Sequence, residues 1–119
     1  PSLNLSLNII NAPGAVKAWH LHFRQDELVF IPHEARLLVG LWDVRKNSPT
    51  EDVTMRFAAG GGAQQLFVPR GVAHGYTNFT NDPATVMYLT SAYFNPDDPD
   101  EHRLPWDVLG KDFWTMQKG

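Results

Sequence analysis

Three histidines, one glutamate and a group of tyrosines hold most of the chemistry this sequence can offer. The segment Trp19-His20-Leu21-His22-Phe23-Arg24-Gln25-Asp26-Glu27 sets two imidazoles two residues apart. Side chains on an extended strand alternate between faces, so His20 and His22 are expected to project together, along with Val16 and Ala18. The same rule groups His74, Tyr76 and Asn78 in one segment, and Val86, Tyr88 and Thr90 in another. If these strands line one interior, imidazoles and phenols share a cavity. Taken singly, each of these residues reads as readily as plain structure, the histidines as strand caps and Tyr88 as core, as it does as chemistry.

Two chemistries could use such a set. The first is metal binding. The spacing Gly14-x5-His20-x-His22-x4-Glu27, followed by Pro69-x-Gly71-x2-His74-x3-Asn78, resembles the paired metal-binding motifs of the cupins, with Glu34 where the first motif ends in Gly. His20, His22, Glu27 and His74 would suit one divalent transition metal such as Fe(II), Mn(II), Ni(II) or Zn(II), leaving positions open for substrate. The second is proton transfer beside a ketone. A histidine serves as base near neutral pH, and a tyrosine across the cavity returns a proton as acid. That route needs no cofactor if a cation or hydrogen-bond donor meets the enolate oxygen.

The elements that must position these groups are strands. Residues 3–10 alternate, with Leu3, Leu5, Leu7 and Ile9 on one side and Asn4, Ser6 and Asn8 on the other. The same period predicts strands at 15–23, 28–31, 35–43, 53–58, 64–68, 73–79 and 85–93. Gly, Pro, Asn and Asp punctuate the intervals, and Gly60-Gly61-Gly62 reads as a hairpin turn. Short strands at this spacing predict an all-β sandwich or barrel, with one domain over residues 1–119. The run Asp97–Glu101 reads as a solvated loop. Beyond it, Trp106, Phe113 and Trp114 give a short irregular or helical tail that must cover something apolar. Arg36 and Arg45 read as surface charges, and Trp42 and Phe57 as core.

Composition narrows the partners. Net charge is −3 and no Lys/Arg run exceeds two residues, so the clustered positive charge that nucleic acid or an anionic membrane demands is missing. The chain has no cysteine, which excludes disulfides, thiolate metal sites and thiol nucleophiles. No apolar stretch in the sequence spans a bilayer and no basic-apolar leader is recognised, so a cytoplasmic location is expected. A chain of 119 residues buries only about two-thirds of its unfolded surface, so a homodimer is expected too, with Leu3–Ile9 as the strand that pairs or swaps.

A wider likeness extends through residues 15–107. Val16-Lys-Ala-Trp-His-Leu-His22-Phe, Leu41-Trp-Asp-Val-Arg-Lys-Asn-Ser-Pro-Thr50, Leu66-Phe-Val-Pro-Arg-Gly-Val-Ala-His-Gly-Tyr76, Val86-Met-Tyr88-Leu-Thr-Ser-Ala-Tyr93-Phe-Asn-Pro and Leu104-Pro-Trp106-Asp107 occur in family order. The chain thus resembles a compact member of the dTDP-4-dehydrorhamnose 3,5-epimerase family, a branch of the cupins. The resemblance implies a cupin-type jelly roll, no cofactor, and a nucleotide-linked 4-keto-6-deoxyhexose as substrate. By position, His22 corresponds to the base and Tyr88 to the acid, with His74, Tyr76, Asn78 and Tyr93 lining the substrate pocket. Three departures stand out: Trp19 replaces an Arg, His20 a Gly, and Glu27 falls at or near a Lys that supports the enolate. The carboxylate partner of the base has no match, and Asp112 is the available substitute. Epimerase or isomerase is therefore the first reading. A metal-dependent cupin and a non-catalytic sugar- or small-ligand-binding module are the alternatives.

Overall fold

The computed structural model describes residues 4–10, 15–92 and 95–115, and for 4–10 the course and pairing of the strand. Nine strands follow in chain order: β1 (Asn4–Ile10), β2 (Val16–Leu21), β3 (Glu27–Ile31), β4 (Arg36–Asp43), β5 (Thr54–Gly60), β6 (Gln64–Val68), β7 (Val72–Thr77), β8 (Ala84–Thr90) and β9 (His102–Arg103). A single 3-10 turn, Lys111–Trp114, closes the described chain. Each of the eight strands expected from alternation is present. Among the described residues no helix is long and apolar enough to cross a membrane.

The strands form two antiparallel sheets, ordered β1-β8-β3-β6 and β5-β4-β7-β2-β9. This is the two-layer all-β architecture that the strand pattern called for, in the jelly-roll form that the resemblance implied. Alternation explains which side chains lie between the sheets. In β3, Glu27, Val29 and Ile31 are buried while Leu28 and Phe30 are half-buried on the other side. Val29, Ile31, Leu37, Val39, Val68, Val72, Tyr76 and Val86 make up most of the inner core. The Gly60-Gly61-Gly62 turn differs from expectation: β5 and β6 lie in different sheets, so it is a crossover and not a hairpin. Gly60 and Gly61 take φ of 134° and 78°, which a side chain would resist.

A second core covers the outer face of the five-stranded sheet. Trp19, Leu21, Leu38, Ala73 and Trp114 are its buried members. Trp19 touches Trp42, Phe113 and Trp114 at ring-centroid distances of 5.9, 5.1 and 5.0 Å. The tail therefore packs on the barrel as expected, with Trp114 Nε1 donating to the Trp106 carbonyl at 3.0 Å. Gly40 makes room for it: a Cβ there would lie 2.6 Å from Trp114 and 2.7 Å from Phe113.

β2 corrects one expectation. Val16 pairs with Thr77 and Lys17 with Tyr76, but His20 pairs with His74, so one extra residue bulges from the strand. Val16 and Ala18 consequently pack on the outer aromatic layer with Trp19 and Leu21. Lys17, His20 and His22 are left on the inner side.

Candidate active site

Between the sheets, Glu27 receives two imidazoles. His22 Nε2 lies 3.0 Å from Glu27 Oε1, and His74 Nε2 lies 3.0 Å from Glu27 Oε2. All three side chains are buried. The histidines come from β7 and the end of β2 in one sheet, and the carboxylate from β3 in the other. This juxtaposition needed the whole fold, although each residue was legible alone.

The outer nitrogens are also occupied. His22 Nδ1 donates to the Asp100 carbonyl at 2.6 Å, and His74 Nδ1 to the Val72 carbonyl at 3.3 Å. A carbonyl oxygen can only accept, so each Nδ1 carries hydrogen. Both Nε2 atoms of the neutral rings are then lone-pair nitrogens aimed at a carboxylate. Three acceptors with nothing between them repel, so the arrangement calls for a cation at its centre, either a proton or a metal ion. The titration directions agree. Burial lowers the His22 pKa, but the Glu27 carboxylate and the Asp100 carbonyl outweigh it and leave the pKa raised. Burial raises that of Glu27, but hydrogen bonds from His22 and His74 hold it at about 2.

The neighbours share the inner faces of the two sheets. The His20 ring lies 6.1 Å from that of His74, and burial, His74 and Arg103 lower its pKa to about 4, so it is neutral. The Tyr76 ring lies 6.5 Å from His74, and burial with the Glu27 charge and Tyr88 keeps its phenol protonated. Tyr88 pairs with Val29 and packs against the inner core, so it faces inward from the sheet opposite the histidines. Val86 and Thr90 are buried on the same face, as alternation predicted.

Two expected members stand elsewhere. Asn78 lies past the end of β7 and is fully buried, with Nδ2 donating to the Asp82 carbonyl at 2.7 Å and Oδ1 accepting from Thr80 N and Oγ1. It organises the 78–82 turn. Tyr93 lies outside the described residues. Trp19, where the family pattern has an Arg, belongs to the outer layer. Asp112 sits in the 3-10 turn of the tail, where its carbonyl accepts from Arg56, and does not serve His22.

Asp100 was missed by sequence. Its carboxylate accepts from the backbone N–H of Phe23 at 2.8 Å and of Arg24 at 2.6 Å, while its carbonyl takes the His22 proton. Within the acidic run, Asp100 is thus a strap across the end of β2, while Asp97, Asp98 and Glu101 stay exposed as the solvated-loop reading expected. Its distance of 78 residues from His22 left no local signal. A second support comes from the 69–72 turn. Gly71 N donates to the His22 carbonyl at 2.7 Å, and a Cβ at Gly71 would lie 2.5 Å from Arg45. Arg45 is held in turn by Asp43, which also accepts from Ser48 and Thr50.

Known proteins agree with this architecture. The dTDP sugar isomerase of Desulfovibrio desulfuricans G20 superposes with a TM-score of 0.79 at 24% identity, covering 96% of this chain and 69% of that one. The dTDP-4-dehydrorhamnose 3,5-epimerase of Bacillus anthracis str. Ames, whose crystal structure holds TDP and PPi, gives 0.79 at 22% identity, covering 98% and 68%. These likenesses establish the cupin-type jelly roll. By sequence, the spore coat polysaccharide biosynthesis protein SpsL of Bacillus subtilis is 43% identical over 96 residues, covering 80% of this chain and 63% of that protein. The probable low-salt glycan biosynthesis epimerase Agl13 of Haloferax volcanii is 32% identical, covering 80% and 62%. The chain therefore spans less than two thirds of the length of either relative. The sequence profile of dTDP-4-dehydrorhamnose 3,5-epimerase matches residues 6–110. With the profile covering most of the chain, and with the fold and the ordered motifs in accord, the protein belongs to the dTDP-4-dehydrorhamnose 3,5-epimerase family.

Proposed function

We propose that the protein is a sugar-nucleotide epimerase or isomerase acting on a nucleotide-linked 4-keto-6-deoxyhexose. The observation that supports this reading is a histidine–carboxylate cluster and a phenol turned inward from facing sheets, in a chain of this family. The TDP and PPi bound to the Bacillus anthracis epimerase support a nucleoside diphosphate carrier.

The chemistry follows from the proton count. His22 keeps its own hydrogen on Nδ1, against Asp100, and accepts at Nε2 once the proton it shares there with Glu27 has left the cluster. The proton on the carbon beside the C4 ketone moves to Nε2, where Glu27 stabilises the imidazolium, and the electron pair shifts onto the ketone oxygen. Tyr88 then donates its phenolic proton to the opposite face of that carbon, and the enolate collapses to the inverted ketone. The protein returns to its starting state by passing a proton from His22 to Tyr88 through solvent. No electrons are exchanged, so no redox cofactor enters. His74 and Tyr76 shape the wall beside the sugar.

Incubation with a nucleotide-linked 4-keto-6-deoxyhexose in D₂O should place deuterium at C3 or C5, read by NMR. In Tyr88→Phe the inversion should fall by about 10²-fold or more. Absence of exchange with every such sugar would remove the reading.

One observation favours a metal as the second reading. Nε2–O separations of 3.0 Å match two ligands at about 2.1 Å from one ion and about 90° apart. Backbone carbonyls on both Nδ1 atoms are the supports that metal-bound histidines ordinarily have. His22, Glu27 and His74 would hold the ion, with His20 nearby, and the ion would polarise the ketone. Elemental analysis of protein purified without chelator separates the two. About one equivalent of a transition metal, lost in Glu27→Ala, would establish the metal; none would leave the cluster as a proton carrier.

The working form is proposed to be a homodimer in the cytoplasm. In support, β1 is the edge strand of its sheet, and Phe67 and Met87 are exposed on that sheet's outer face beside Leu28, Phe30 and Leu89. The cytoplasm is where a nucleotide-activated sugar would be met.

A further inference from the structure

The cavity wall formed by β2 and β9 carries two cations that the reaction scheme above does not use. The bulge in β2 puts Lys17 opposite Tyr76, whose ring lies in the inner core, so Lys17 stands on the cavity face. Gly75 fixes the parity from the other side: a Cβ there would meet Ala18 Cβ at 2.5 Å, which sets Ala18 outward and its neighbour Lys17 inward. On β9, Arg103 pairs with His20, and directly opposed residues of an antiparallel pair share a face. Lys17 is half-buried and Arg103 exposed, so the two run from inside the cavity to its rim with neutral His20 between them.

Their spacing suits an extended dianion. The bulge sets residues 17 and 20 opposite positions two apart on β7, about 7 Å along the sheet, and an antiparallel neighbour adds about 5 Å sideways. Both side chains reach about 6 Å, so their ends can close on one diphosphate. Glu27, on the facing sheet, would repel that group from the deep cluster and leave the sugar to enter it.

We propose that Lys17 and Arg103 form a clamp at the rim, on either side of His20, that binds the diphosphate of the nucleotide-linked substrate. The identity of this substrate class rests on the epimerase reading, whereas the clamp itself can be tested without turnover. Isothermal titration of the full chain with dTDP, thymidine and inorganic pyrophosphate is the experiment. Wild type should bind dTDP and pyrophosphate, and thymidine at least about 10-fold more weakly than dTDP. Lys17→Gln and Arg103→Gln should each weaken dTDP binding by about 10-fold, the scale of one charge-assisted hydrogen bond, and flatten its salt dependence. Lys17→Arg should keep most of the affinity, and a melting temperature near that of wild type checks that each variant is folded. Folded Gln variants that bind dTDP as wild type does would overturn the clamp, as would a wild type that binds neither dTDP nor pyrophosphate. A protein whose dTDP binding depends on Lys17 and Arg103, yet which shows no D₂O exchange, would keep the clamp and remove the epimerase.

Discussion

A carboxylate shared by two imidazoles behaves differently from a lone base. Glu27 bridges both rings and favours the protonated state of His22. Glu27→Gln would remove that charge while keeping the shape. The expected outcome is a His22 pKa lower than in wild type, read by NMR titration of the imidazole, and a loss of exchange activity. Asp43 makes the complementary case away from the cavity. Hydrogen bonds from Arg45 hold its carboxyl well below the usual carboxylate range, against the opposing effect of burial, and Thr50 and Ser48 add to it. A depressed folded pKa stabilises the protein above the unfolded value, about 3.9, and that contribution is lost as pH falls through the folded value. Asp43→Asn should therefore cost about 1–3 kcal/mol at pH 7, with the gap to wild type closing only below about pH 4. Urea unfolding across pH 3–8 checks this.

Among elements, the strands that show one face to the core were readable, because a period of two survives in β3 and β8. β2 was readable in extent but not in parity. A bulge leaves no mark in the hydrophobic pattern, so Val16 and Ala18 were grouped with His20 and His22 although they lie on the other face. The strap at Asp100 was illegible for another reason. It acts through a backbone carbonyl and two backbone N–H groups, and no residue type announces such contacts at long range. The aromatic tail was legible because Trp106, Phe113 and Trp114 had to find cover, though the partner, Trp19 beside a glycine window in β4, was not. Gly40→Ala should lower stability by about 1–3 kcal/mol through overpacking, and Trp114→Ala by about 3–5 kcal/mol through the cavity it leaves. Both are read from denaturant midpoints.

At the scale of the molecule, the two sheets divide the labour. One brings three imidazoles, Tyr76 and the two rim cations; the other brings Glu27 and Tyr88. Neither sheet holds a complete site, so the chemistry exists only when they are packed together. The outer face of the β1-β8-β3-β6 sheet has a different use. Its cross-strand rows, Phe30 with Met87 and Leu28 with Phe67 and Leu89, keep apolar groups at the surface. Light scattering should give a mass about twice the 13.4 kDa of one chain, and Phe67→Glu with Met87→Lys should return it to one. A wild-type mass of one chain would end the dimer.

β2 is held from both sides. Its inner end is tied through His22 to the Asp100 carbonyl, and its outer face is pinned by Trp114 against Trp19, whose backbone exchanges two hydrogen bonds with Leu104. The residues that make these attachments, 98–114, form one continuous stretch of chain. The strand and the tail should thus open as a single cooperative unit, with the amides of Trp19 and Leu104 exchanging hydrogen at one common rate. Warming or mutating the aromatic layer would then be felt first as a mis-aimed imidazole on the far side of the sheet, well before the barrel itself gives way.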